Sequence, residues 1–113
     1  MPTTFEILAE PNRRRILDAL RPGEQSVGDL VDRLGVSQPG VSKHLKVLRE
    51  AGLVQVRRDA QRRWYRLAAG PLAEVDAWIA PYRRFWDDRL DALERHLDDE
   101  AGEAKTNTTE RQE

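Results

Sequence analysis

The 113-residue chain has no cysteine, only two histidines (His44 and His96) and 6% aromatic residues. Without cysteine there is no disulfide framework, thiolate nucleophile or cysteine metal cage. Two histidines leave little for acid–base or metal chemistry, so no metal and no cofactor is expected. No run approaches the ~18 apolar residues of a membrane span. The start, Met1-Pro2-Thr3-Thr4-Phe5-Glu6, lacks the basic segment and apolar core of a signal peptide. A cytoplasmic protein with no membrane partner is the expectation. An enzyme is not expected, because there is no nucleophile–base–orienter set and no glycine-rich phosphate loop. Asp87-Asp88 and Asp98-Asp99 are sequence neighbours, so each pair diverges on a helix. What remains, with 35% charged and 39% hydrophobic residues, is one soluble domain's worth of chain.

The net charge of −1 hides an asymmetry. Residues 1–70 hold thirteen Lys/Arg against eight Asp/Glu, whereas 71–113 hold six against twelve. Between 37 and 66 the contrast sharpens to eight basic residues against Glu50 and Asp59. A basic block inside a neutral chain suits a polyanion-binding surface, because affinity follows the local field.

Local signals divide the chain into helices and one hairpin. Thr3 with Glu6 forms a capping box for a short first helix. Pro11 opens a second helix striped by Ile16, Leu17 and Leu20, and Arg21-Pro22-Gly23 ends it. Ser26 opens a third, with Val27, Leu30, Val31 and Leu34 at helical spacing and Gly35 as a left-handed stop. Ser37 caps the fourth, residues 38–51, which tolerates Pro39 in its first turn. The period then changes to two, and 53–67 reads as a hairpin with basic shoulders around Asp59-Ala60-Gln61. Its tip lacks glycine, so either a non-glycine residue takes positive φ or the loop is wide. Over 71–99, Leu72, Val75, Ile79, Tyr82, Trp86, Leu90, Leu93 and Leu97 make a near-heptad stripe. Pro81 predicts a kink or break near Ala80. Residues 100–113 are expected to be a disordered polar tail. The stripe exceeds what a small domain covers alone, which predicts burial against a second copy.

Helix, turn, helix and hairpin in this order describe a mostly α fold with a small β-hairpin, a winged helix-turn-helix. On a wheel of ~100° per residue, Val41, Leu45 and Leu48 face a core while Pro39, Ser42, Lys43, Lys46 and Glu50 lie opposite. Ser37 and Gln38 sit at the tip, where free backbone N–H groups attract phosphate. Gln38 and Ser42 suit base edges in the major groove of double-stranded DNA, and Lys43 and Lys46 reach phosphate or guanine. Arg57, Arg58, Arg62 and Arg63 on the wing suit the minor groove. Trp64 and Tyr65 suit strand packing rather than base stacking, since a duplex offers no free base faces. The rival reading is a winged helix used for protein contacts, whose recognition face would carry exposed apolar or mixed-sign residues.

The run Ser37-Gln38-Pro39-Gly40-Val41-Ser42-Lys43-His44-Leu45-Lys46-Val47-Leu48-Arg49-Glu50-Ala51-Gly52-Leu53-Val54 resembles the recognition-helix signature of the ArsR (SmtB/ArsR-type) winged-helix regulators. The opening Leu8-Ala9-Glu10-Pro11-Asn12-Arg13-Arg14-Arg15-Ile16-Leu17 and the wing's Tyr65-Arg66-Leu67 resemble that family too. The resemblance spans about residues 3–68. It implies a homodimeric repressor of an imperfect palindromic operator, dimerising through its first and last helices. Phe5 and Leu8 would then join Tyr82, Trp86, Leu90, Leu93 and Leu97 in the interface. The family's metal sensors carry a Cys-x-Cys pair in the helix before the recognition helix, where this chain has Val27-Gly28-Asp29-Leu30-Val31. The stretch from Trp78 to Trp86 resembles a metal-free branch, and no residue pattern specifies an effector. His96 among carboxylates reads as a surface residue, and His44 as a packed one.

Overall fold

The computed structural model describes residues 2–107, with side chains described through residue 101. Five helices and one hairpin follow in the order α1 (Thr4–Leu8), α2 (Pro11–Leu20), α3 (Val27–Leu34), α4 (Gln38–Glu50), β1 (Val54–Asp59), β2 (Arg62–Leu67) and α5 (Leu72–Asn107). The chain divides into two compact units, Met1–Asp76 and Ala77–Glu113.

In the first unit each short helix is fixed by side chains that satisfy its orphan backbone groups. Thr3 Oγ1 accepts from the Glu6 N–H at 3.1 Å, and Glu6 Oε1 accepts from the Thr3 N–H at 2.8 Å, a complete capping box. Ser26 and Asp29 repeat it on α3, both bonds at 3.1 Å. Three consecutive arginines serve helix ends rather than a ligand. Arg13 and Arg14 donate to the Ile7 and Leu8 carbonyls at 3.3 and 2.6 Å, and Arg15 donates to the Leu34 carbonyl at 2.8 Å. They tie α1 and the end of α3 to α2.

The turn between α3 and α4 is short because Gly35 takes φ +69°, letting its N–H return to the Val31 carbonyl at 2.9 Å. Gly52, at φ +79°, ends α4 in the same way, and the Leu53 N–H closes back on the Leu48 carbonyl at 2.9 Å. The apolar faces so aligned meet in one core: Ile7, Ile16, Leu17, Ala19, Leu20, Leu30, Val41, Leu45, Leu48, Leu53, Val54 and Tyr65. Val41, Leu45 and Leu48 are at most 1% exposed, as the helical wheel predicts. Truncating such a buried leucine to alanine typically costs ~2–5 kcal/mol.

The hairpin is antiparallel, with Val54 opposite Leu67, Val56 opposite Tyr65, Arg58 opposite Arg63 and Asp59 opposite Arg62. Ala60 takes φ +58° in the two-residue connection, so the tip is a tight turn carried by a non-glycine residue. Gln25 adds a one-residue bridge to the free side of β2, with Tyr65 and Gln25 exchanging both backbone bonds at 3.0 and 2.8 Å. The buried Gln25 amide also donates to the Ala19 carbonyl.

The last helix decides one expectation and departs from another. Pro81 lies inside α5, so of the two outcomes expected near Ala80, a kink or a break, the break does not occur. Proline has no N–H for the Ala77 carbonyl and its ring crowds that carbonyl, but the helix continues on both sides. The helix also continues past Asp99 to Asn107, through the first part of the stretch expected to be disordered. Glu100, Ala101, Glu103, Ala104 and Lys105 favour helix without needing a packed face. The rest of that tail, 108–113, lies outside the described residues. Trp78, Tyr82, Phe85, Trp86, Leu90, Leu93 and Leu97 are each half or more exposed along α5. No helix among the described residues is long and apolar enough to cross a membrane.

Candidate nucleic-acid interface

Helix α4 begins at Ser37, whose backbone is extended and whose Oγ accepts from the Gly40 N–H at 3.3 Å. A Cβ on Gly40 would meet Val36 Cγ1 at 3.0 Å and Ser37 Oγ at 3.2 Å, so this first turn packs tightly on its cap. The core face of the helix leaves Ser37, Gln38, Ser42, Lys43 and Lys46 exposed on the other side. His44, at the margin, is partly buried, and its Nδ1 has no hydrogen-bond partner among the described residues.

Gln38, Ser42 and Lys46 meet the wing across a groove of about 480 Å³, which Val27, Leu45, Arg49, Arg63 and Tyr65 also line. Arg49 is the groove residue that sequence reasoning missed. Its signal was there, since it follows Lys46 by three positions and Ser42 by seven along the same helix.

Strand alternation separates the four wing arginines into two pairs. Arg58 and Arg63 extend the face that carries Val54, Val56, Tyr65 and Leu67, whose apolar members pack on the core. Arg57 and Arg62 lie on the opposite face, with Gln55, Asp59, Trp64 and Arg66. On that opposite face the polar groups engage one another. Arg57 donates from Nε and NH2 to the two Glu24 carboxylate oxygens at 3.1 and 2.8 Å. Its NH1 lies 3.7 Å from Asp59. Arg66 donates to Gln55 at 2.9 Å, and the Arg62 guanidinium sits 5.7 Å from the Trp64 ring centroid. The Arg57 hydrogen bonds hold the Glu24 carboxyl below its usual pKa, and those same bonds raise that of Arg57.

Lys43, Lys46, Arg58 and Arg63, by contrast, have no carboxylate partner among the described residues. Lys46 and Arg63 thus line one groove together with Gln38 and Ser42, while Lys43 and Arg58 are exposed on the same helix and strand pair. The other exposed residues of α4 are Pro39, Arg49 and Glu50. Such a surface binds a polyanion and offers amide and hydroxyl groups to read it. None of the candidate dimer residues lines that groove. Phe5 is 39% exposed on α1, Leu8 is partly buried against the core, and Tyr82, Trp86, Leu90, Leu93 and Leu97 are exposed on α5. His96 pairs with Glu100 at 3.0 Å on the surface of α5, and no group of three metal-ligating residues occurs among the described residues.

A helix-turn-helix domain family matches residues 8–57. The transcriptional repressor SdpR of Bacillus subtilis is 30% identical over 90 residues, which cover 80% of this chain and all of that protein. The crystal structure of a possible transcriptional regulator for arsenical resistance shares 41% identity at a TM-score of 0.65, covering 85% of this chain and 97% of the other. An ArsR-like transcriptional regulator from Rhodococcus sp. RHA1 shares 31% identity at a TM-score of 0.61, covering 80% of this chain and 86% of the other. With its fold and four-fifths or more of its length matched by these proteins at 30–41% identity, the chain belongs to the ArsR family of helix-turn-helix transcriptional regulators.

Proposed function

We infer that this chain is a homodimeric, cytoplasmic transcriptional repressor that lays α4 into the DNA major groove and its wing along the neighbouring minor groove. One observation carries the reading: Gln38, Ser42, Lys46 and Arg63 converge on a single groove, with Lys43 and Arg58 unpaired beside it. In this reading Gln38 and Ser42 read base edges. The Ser37 tip, Lys43, Lys46, Arg58, Arg62 and Arg63 hold backbone phosphates. Repression is supported by the name of the B. subtilis relative. The exposed stripe of α5 supports pairing with a second copy, which would repeat the reading head at a second half-site. A protein-docking winged helix would need apolar or mixed-sign residues where Ser42, Lys43 and Lys46 stand. A cysteine-thiolate sensor has no residue to build it here, since the chain has no cysteine.

The test is selection of random-sequence duplexes by the purified protein near physiological salt, with and without chelator. The expected product is a short palindrome in both conditions, its half-sites about one duplex turn (~34 Å) apart. Gln38→Ala should relax preference at one position per half-site by ~1–3 kcal/mol. Absence of any enriched sequence would favour the protein-docking module. Enrichment lost with chelator would bring a metal site at His96 back into consideration.

A further inference from the structure

Sequence alone groups Arg57 with the wing's DNA contacts, but its surroundings differ from those of its neighbours. Glu24, which receives both Nε and NH2 of Arg57, sits beside Gln25 in the connection between α2 and α3. Gln25 is held rigidly. Its side chain is buried, its amide is bonded to Ala19, and its backbone is paired with Tyr65 on β2. Gln25 borders β2 on one side and β1 borders it on the other, so the Glu24–Arg57 pair spans the middle strand. β1 is otherwise joined only to β2 within the sheet. Val54 and Val56 anchor the start of β1 on the core, and the bidentate pair adds a fixed point at Arg57, nearer the tip.

We propose that Arg57 is a positioning residue rather than a DNA contact: with Glu24 it braces the wing from behind, so that Arg58 and Arg63 on the other face are held toward the groove. This rests on the reading of that groove as the DNA surface. The brace engages Nε and Nη2 of Arg57 with Glu24, and Nη1 lies 3.7 Å from Asp59, so two carboxylates already offset its charge. Arg57 therefore neutralises no phosphate, and its contribution to binding is geometric.

Salt dependence separates the two roles, because each phosphate contact releases condensed counterions and adds ~0.9 to the slope of log K against log salt. The probe is a random-sequence duplex of about 30 base pairs, roughly three helical turns. All variants are measured where melting curves show them fully folded. R63A is expected to lower the slope by ~0.9. R57Q and E24Q should each weaken binding by about two- to fivefold at fixed salt, with the wild-type slope. The double variant should be no weaker than either single one. R57K keeps the charge but loses the bidentate fork, so it should behave as R57Q does. The brace is overturned if R57Q lowers the slope as R63A does, if R57K binds as the wild type, if the two losses add, or if E24Q binds as well as or better than the wild type. An unchanged slope in R63A would instead overturn the DNA reading of the groove itself.

Discussion

Arg58 lies directly across the hairpin from Arg63, and the two share the wing face that meets α4. Like charges in opposed positions destabilise a strand pair by ~0.2–1 kcal/mol, and neither arginine has a carboxylate to offset the cost. In the proposed complex a duplex backbone would supply the missing counter-charge, so binding would relieve the repulsion present in the free protein. Arg58→Thr should therefore stabilise the free protein by ~0.5 kcal/mol, a rise in melting temperature of roughly 2–4 °C. The same change should weaken binding to every duplex and lower the salt slope by ~0.9. Melting curves with and without duplex test both halves, and an unchanged salt slope would remove Arg58 from the phosphate contacts.

Ser37 has two duties that different substitutions separate. Its Oγ caps α4 through the Gly40 N–H, and its position exposes the helix tip to the ligand. Ser37→Ala loses the cap and should cost ~1 kcal/mol in denaturant unfolding. Ser37→Asp keeps a capping oxygen and should keep that stability. It places a negative charge where phosphate is expected, so it should bind DNA far more weakly than its stability suggests. Wild-type affinity in Ser37→Asp would show that the tip does not approach the backbone.

Acid should loosen the first unit through three carboxylates. Thr3 backbone and side-chain hydrogen bonds hold Glu6 below its usual value, Ser26 does the same for Asp29, and Arg57 for Glu24. A carboxyl whose pKa is lower folded than unfolded stabilises the fold above its unfolded value and loses that contribution as pH falls through its folded value. The melting temperature should hold near neutrality and decline below about pH 4.5, the ordinary glutamate value. Glu24→Gln should make that decline shallower. A decline as steep as in the wild type would mean that the Arg57 bond is not maintained in solution.

Local chemistry made most of this fold legible. The partners of Thr3, Ser26 and Ser37 lie three residues away, within the reach of a capping pattern. The stripe of Val41, Leu45 and Leu48 is a matter of helical period, and all three are buried. The positive φ of Ala60 is one of the two ways the glycine-free tip could close. Long-range pairing was not legible. Arg13, Arg14 and Arg15 count as basic charge in any sequence tally, yet they cap carbonyls of α1 and α3. Arg57 meets Glu24 across thirty-three positions, and nothing in the local pattern distinguishes it from Arg58. Pro81 left a kink and a break both open in the sequence, and only the helix that continues on either side decides against the break.

The exposed stripe of α5 leads to the remaining prediction. Leu90 and Leu93 are 60% and 52% exposed, and burying such a side chain fully is worth ~1.5–3 kcal/mol. Seven large apolar residues left in water along one helix make a patch far larger than scattered surface leucines, and a copy of the same helix presents a matching patch. Leu90→Ala with Leu93→Ala should shift sedimentation from a dimer to a single chain at micromolar concentration. Both side chains are solvent-exposed, so the helical signal of the first unit should persist. A monomer offers one reading head, so its preference for a palindrome over an isolated half-site should collapse while its contacts at each half-site remain. A dimer that survives the double substitution at the same concentration would place the interface elsewhere, with Phe5 on α1 the next side chain to truncate.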